Sequence, residues 1–270
     1  MAEDKVKRFV SIVYTETEGI KLQRRDKREP DRDWKEIAQK RIQSIVRRRF
    51  KRQKAAILDW VQRQAVYTKA PIPPDDLFED EEWDIEDEAA MMHIILWEMS
   101  KGAERFSSSI GMTFDTSGIN VRAAKFARTY LTKWLADLDR TSREIVRNAL
   151  ALFVETPGMT IGDLVKMLPF NEERALRIAV TETTRIYAKG QMIAAQELKE
   201  QYPDVRIIKT WFTDNDDKVC EICGPLHGMT VDADEPFYDI EDDLYQDGNP
   251  PAHVNCRCWI ETSTDIRGNR

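Results

Sequence analysis

The chain has few of the residues that build metal or redox chemistry, with 4 cysteines and 3 histidines among 270 residues. Glycine and proline are also sparse at 11 each, which excludes collagen-like and low-complexity architectures. No apolar run approaches the roughly 20 residues that cross a bilayer as a helix. The opening MAEDKVKRFVSIVYTETEG lacks the charged start, long apolar stretch and small-residue cleavage site of a secretory signal. Synthesis in a cytosol, no membrane partner and reduced thiols are therefore expected. No repeat recurs at periods of 20 to 50 residues, which speaks against a solenoid.

What is present is a polar globular chain, 41% hydrophobic and 33% charged, with enough apolar residues to bury a core. The net charge of -7 conceals a division: residues 1–70 hold 20 Lys+Arg against 10 Asp+Glu, so that +10 there leaves -17 on the remainder. A basic arm on an acidic body suggests that the arm faces a polyanion or an acidic protein surface, although many basic helices are only solvated. The densest basic stretch is Arg47, Arg48, Arg49, Lys51, Arg52 and Lys54, the candidate contact for nucleic acid or an acidic partner.

Apolar spacing predicts a mostly α protein. Trp34, Ala38, Ile42, Ile45, Phe50, Ile57 and Val61 mark a helix over about 31–66, capped by Asp31 or Asp33. The three prolines of Lys69–Pro74 predict a linker or turn. Ten of the fourteen residues from Asp75 to Glu88 are acidic and lead into the apolar run Ala89–Met99, as suits a helix N-terminus. His93 lies in that run and is expected to be packed in the core. Gly102, Gly111 and Gly118 are expected to interrupt the pattern. A helix follows around Val121–Leu138, and Thr141 with Glu144 forms a capping-box pattern that predicts a fresh start. Thr160 with Asp163 predicts one more short helix, and the run from Glu172 to about Gln201 a long one. Beyond Pro203, VRIIKTWF, MTV and CWIETST read as three strands. The expected organisation is a basic helical arm (1–70), a helical region (71–170) and a C-terminal module (171–270) of a long helix plus a small zinc-stapled α+β unit.

The four cysteines lie in the last 51 residues as Cys220-x-x-Cys223, then His253-x-x-Cys256-x-Cys258. Two such knuckles converge on one tetrahedral ion, with sulfur about 2.3 Å from zinc. Five candidate ligands compete for four places. Cys220, Cys223, His253 and Cys256 are favoured because Cys258 begins a strand, while an all-cysteine set using Cys258 stays open. Free or redox-active thiols and disulfides are the competing readings. Enough protein ligands exist to close the shell, so the zinc is expected to be structural, and it would supply much of the folding energy of a loop-rich unit. His227, in the turn LHG, is expected at the surface. Arg174, Arg177, Thr181, Glu182 and Arg185 recur at three- and four-residue intervals and predict a polar network on one helix.

The ordered series LPFNEERALRIAVTETTRIYAKGQ, WFTDNDDKVCEICGPLHGMTV and PPAHVNCRCW resembles the phage head-morphogenesis family typified by the Mu F protein, over roughly residues 160–262. The chain departs from the family pattern at Val180, where an arginine is common, and at His227, where an acidic or amide residue is usual. The resemblance implies a minor capsid protein of a tailed bacteriophage, associated with the portal protein and with the major capsid or scaffold protein. It implies a place inside the capsid near the portal after assembly in the host cytoplasm, and a role in DNA packaging or ejection. Double-stranded DNA is then the partner for the basic arm. No catalytic residue is assigned. The rival readings are an ADP-ribosyltransferase-like enzyme, with no toxin domain expected beyond Arg270, and a DNA-binding internal virion protein. A zinc nuclease or deaminase is disfavoured because the expected His-x-Glu partner is missing.

Overall fold

The computed structural model describes residues 31–64, 83–156, 158–214, 216–238 and 247–265. Residues 1–30 of the basic arm, the proline-rich Lys69–Pro74 stretch and the first part of the acidic run lie outside them. The described elements are α1 (Arg32–Gln64), α2 (Ile85–Ile110), α3 (Ser117–Glu155), α4 (Ile161–Met167), α5 (Glu172–Gln201), β1 (Arg206–Phe212), β2 (Thr230–Asp232) and β3 (Trp259–Asp265). The protein is mostly α, with a small α+β module at its C-terminal end. No described helix is long and apolar enough to cross a membrane.

Helix starts follow local chemistry. Asp84 accepts the Glu86 amide at 2.9 Å, and Glu86, Asp87 and Glu88 fill the first turn of α2, where carboxylates meet the positive end of the dipole. Thr160 and Asp163 form the expected capping box of α4, and Asn171 accepts the Arg174 amide at 2.8 Å to open α5.

Three expectations need correction. α3 runs unbroken through residue 141, because Thr141 turns its hydroxyl back to the Asp137 carbonyl at 2.8 Å instead of capping a new helix. Gly102 sits inside α2 and Gly118 in the first turn of α3, so only Gly111, with φ +66, ends a helix. His93 is exposed, on the polar face of α2 between the buried Met91 and Ile94.

The described residues divide into two compact units: those within Lys40–Ile94 and Ala127–Ala179, and those within Met1–Gln39, Ile95–Phe126 and Val180–Arg270. In the first, Ile57 and Val61 of α1 pack with Val146, Ala149 and Leu150 of α3 and with Leu164 and Leu168. Each such isoleucine, valine or leucine side chain contributes about 1.5–3 kcal/mol when fully buried. Beside this core the Asp139 carboxylate accepts from Arg49 at 2.9 Å, Gln53 at 2.8 Å and the Trp83 indole at 2.9 Å. Arg49, 1% exposed, also lies over the Trp83 ring.

In the second unit α2 and α5 cross at glycines. A Cβ on Gly102 would overlap the Tyr187 carbonyl oxygen, and one on Gly190 would overlap the Met99 backbone, so this approach requires both glycines. The antiparallel sheet has the order β2-β1-β3, with Ile208 opposite Asp232 on one side and Ser263 on the other. Alternation along β1 turns Ile207, Lys209 and Trp211 inward. Trp211, Leu226, Phe237, Ile260, Cys223, Cys256 and Cys258 share one buried cluster, so the thiols belong to the core of the module.

Candidate metal centre

The first knuckle is prepared by the turn after β1. Asp216 accepts the Lys218 amide at 3.1 Å, which bends the chain toward Cys220. The Gly224 amide then bonds to the Cys220 carbonyl at 2.9 Å, and the Cys223 amide points at the Cys220 sulfur from 3.4 Å. The second knuckle follows a cis Pro250–Pro251 peptide. The Cys256 amide bonds to the His253 carbonyl at 3.2 Å, and Asn255 closes the turn in the left-handed region at φ 67. Asparagine is one of the few side chains that tolerates that conformation.

The knuckles face one another. Cys220 Sγ lies 3.1 Å and Cys223 Sγ 3.2 Å from His253 Nε2, and Cys223 Sγ lies 3.7 Å from Cys256 Sγ. Sulfurs placed tetrahedrally at the zinc distance stand about 3.7 Å apart. Donor atoms of Cys220, Cys223 and His253 lie within 4.8 Å of one another, as do those of Cys223, Cys256 and Cys258. Cys223 belongs to both groups. The structure thus brings all five predicted ligands into one cluster, and its Cys/His groups can hold a metal ion.

Local interactions tune these donors. His253 Nδ1 is 2.8 Å from the Val254 carbonyl, and a proton donated there leaves the Nε2 lone pair directed at the sulfurs. Hydrogen bonds from Cys223 and Cys258 bring the Cys256 thiol well below its ordinary value despite its burial. Its bond to Cys256, and then burial, push the Cys223 thiol up. For Cys258 the bond to Cys223 acts downward, but the bond to Cys256 and burial outweigh it and push the thiol up. Three buried sulfurs so close cannot all ionise by themselves, and a divalent cation removes that conflict.

Around the cluster, Arg257 reaches Asp214 at 2.9 Å and both Asp216 oxygens at 2.9 and 3.0 Å. The side chain between Cys256 and Cys258 therefore ties the loop before Cys220 to the second knuckle, and its hydrogen bonds hold the Asp216 carboxyl below its ordinary range. His227 is exposed, as expected of a surface residue, and its Nδ1 lies 2.9 Å from the Thr213 hydroxyl.

The predicted polar residues lie along α5. Arg174 donates to Ser142 at 3.1 Å and to the Pro169 carbonyl at 3.2 Å, lies over the Phe50 ring, and is pushed down to about 10 by burial. Arg177 is exposed. Glu182 is buried beside Arg185 at 3.5 Å, and desolvation raises its carboxyl. Thr181 turns to the metal knuckle: its Oγ1 accepts the Asn255 amide at 2.8 Å. Thr184, absent from the predicted set, donates to the Cys256 carbonyl at 3.1 Å. The signal that identifies this pair is a second threonine three residues after the first, one helical turn along the same face.

The basic stretch of α1 is largely paired. Arg47 meets Glu172 at 2.7 Å, Arg52 meets Asp87 at 3.2 Å, Arg48 also bonds Asp87, and Arg49 meets Asp139. Lys51 is exposed and Lys54 half-buried, and neither belongs to these pairs.

Residues 156–261, less than half of the chain, match the family model described as Phage Mu protein F like protein. The match begins before the capping box of α4 and ends within β3, so it takes in α5 and both knuckles. No curated protein matches the chain, and no solved structure does.

Proposed function

We propose, from the match of residues 156–261 to the Phage Mu protein F like family model, that this chain is a portal-associated minor head protein stapled by a structural zinc ion. That match supports a head-morphogenesis or minor capsid role and a place in the virion. The finer reading puts the protein inside the capsid near the portal, with the portal protein and the major capsid or scaffold protein as partners. The observation that carries it is that the family segment is the same segment that builds α5 and the two knuckles.

The zinc would be held by Cys220, Cys223, Cys256 and either His253 or Cys258. With four protein ligands the shell closes, leaves no water position for catalysis, and ties the two loops to the core that the thiols share with Trp211, Leu226, Phe237 and Ile260. The family is one of structure and morphogenesis. In keeping with that, no catalytic residue is assigned, and two charged side chains of α5 are packed into the fold. Arg174 is packed on Phe50 and bonded to Ser142, and Glu182 is buried beside Arg185. DNA contact is the second part of the proposal, and it falls to the exposed Lys51 and the neighbouring Lys54.

Zinc content by mass spectrometry on the purified chain, beside Cys220→Ser and Cys256→Ser, tests the reading when portal co-purification is scored on the same samples. The expected result is a single zinc ion in wild type, lost together with portal retention in both variants. A folded, metal-free wild type would overturn the zinc assignment. Zinc-loaded protein that fails to retain the portal would overturn the partner.

A further inference from the structure

We infer that Thr181 and Thr184 of α5 are positioning residues for the metal centre, holding the His253–Cys256 knuckle in the geometry that presents its donors; this rests on the zinc reading above. Both hydroxyls are buried, and both bond to the backbone of that knuckle: Thr181 takes the Asn255 amide at 2.8 Å and Thr184 gives to the Cys256 carbonyl at 3.1 Å. They stand one helical turn apart, so a single rigid face of α5 grips two consecutive residues of the loop.

The gripped residues are the ones whose geometry matters. Asn255 is left-handed at φ 67, and it separates the histidine donor from the Cys256 donor. A turn of that kind is a minor conformation of a free loop, and its amide bond to Thr181 selects it. Threonine is not there for the helix, since β-branched residues are weaker helix formers than alanine. The first knuckle has its own supports in the Gly224–Cys220 bond and in Asp216. The spacing across the knuckles, 3.7 Å from Cys223 Sγ to Cys256 Sγ and 3.1 Å from Cys220 Sγ to His253 Nε2, is therefore set by where α5 holds the second one, together with the tie that Arg257 makes to Asp214 and Asp216. Groups outside the ligand shell that fix ligand orientation govern metal affinity in this way.

The test uses the full chain as wild type, Thr181→Val, Thr184→Val, the double valine variant and the corresponding serine variants. Zinc affinity is measured by competition with a chromophoric chelator, and melting temperature is recorded in excess zinc and in excess chelator. Valine keeps the shape and removes the hydroxyl, so affinity is expected to fall by about 10-fold in each single variant and towards 100-fold in the double. The zinc-dependent rise in melting temperature should shrink in parallel, and serine should restore both. Valine variants that bind zinc as tightly as wild type would overturn the inference. So would an equal loss of melting temperature with and without zinc, the mark of a merely structural role. If the wild-type chain itself takes up no zinc, the metal reading falls and carries the inference with it, whereas a zinc-binding wild type with indifferent valine variants removes the inference alone.

Discussion

Two buried charges set the stakes for individual residues. Arg49 is 1% exposed, and its countercharge Asp139 is shared with Gln53 and the Trp83 indole. Asp139→Asn keeps the shape but leaves a guanidinium buried without a carboxylate, which costs about 3–5 kcal/mol. Replacing both partners by Arg49→Met with Asp139→Leu is expected to recover part of that loss in urea unfolding; a double variant less stable than the single would show that the pair does more than neutralise itself. Lys209 presents the opposite case. It faces inward from β1, donates to Asn249 at 2.8 Å, and burial brings it down to about 8, against the pull of Asp247, Asp234 and Glu235. Between pH 8 and the ordinary lysine value of 10.5 the unfolded chain holds more protons than the folded one, so stability rises with pH across that window. Relative to Lys209→Met, the wild type is expected to gain up to about 3 kcal/mol between pH 7 and pH 10.5. Parallel stability curves for the two proteins would mean that Lys209 is already solvated or fully compensated. A sequence shows neither burial nor partner, and Lys209 stands in the strand RIIKTWF like any edge lysine until pleat and register turn it inward.

Helix ends and helix crossings divide what sequence can and cannot reveal. The Thr160–Asp163 box and the span of α5 were legible because their chemistry is local: a side chain meets an amide three residues away, and a proline closes the run. The box at Thr141 has the same letters, but in continuous helix the same hydroxyl finds the Asp137 carbonyl, and packing of Leu138, Val146 and Ala149 keeps α3 whole. The cysteine spacing announced the Cys/His cluster for a similar local reason. Which helix would hold the second knuckle was not legible, because Thr181 and Asn255 are far apart in sequence. Gly102 reads as a helix breaker, yet it and Gly190 are where two backbones meet. Gly190→Ala should therefore destabilise by about 1–3 kcal/mol, since its Cβ meets Met99 backbone that cannot rotate away. Gly162→Ala in α4 finds only the Thr160 hydroxyl at 3.5 Å, an ordinary contact, and should stabilise by about 0.5 kcal/mol by restricting the unfolded chain. Thermal melts of the two variants read opposite signs; the same sign in both would remove the close crossing as the reason for Gly190.

For the whole molecule the question is where the charge goes. A net charge of -7 repels phosphate, so attraction to DNA depends on cations that are not already committed within the fold. Arg48 and Arg52 share Asp87, whose carboxyl is 5% exposed. Burial works against its ionisation, yet the two guanidinium bonds outweigh it and hold the Asp87 carboxyl below its ordinary value. Releasing either arginine to a phosphate would leave that buried carboxylate with only one of its two countercharges. Of the six basic residues from Arg47 to Lys54, Lys51 and Lys54 are therefore the ones expected to displace counterions. Each phosphate contact changes the slope of log K against log salt by about 0.9, so Lys51→Ala with Lys54→Ala should flatten the slope of the full chain by about 1.8. Arg48→Ala with Arg52→Ala should instead leave the slope unchanged and lower the melting temperature, because the damage is internal. A flatter slope in the arginine variant at unchanged stability would mean that the Asp87 pairs open for DNA, and the basic face of α1 would then act as a nucleic-acid surface. No retention of duplex DNA even at low salt would remove DNA from the proposed partners and leave the portal and the shell as the proposed ones.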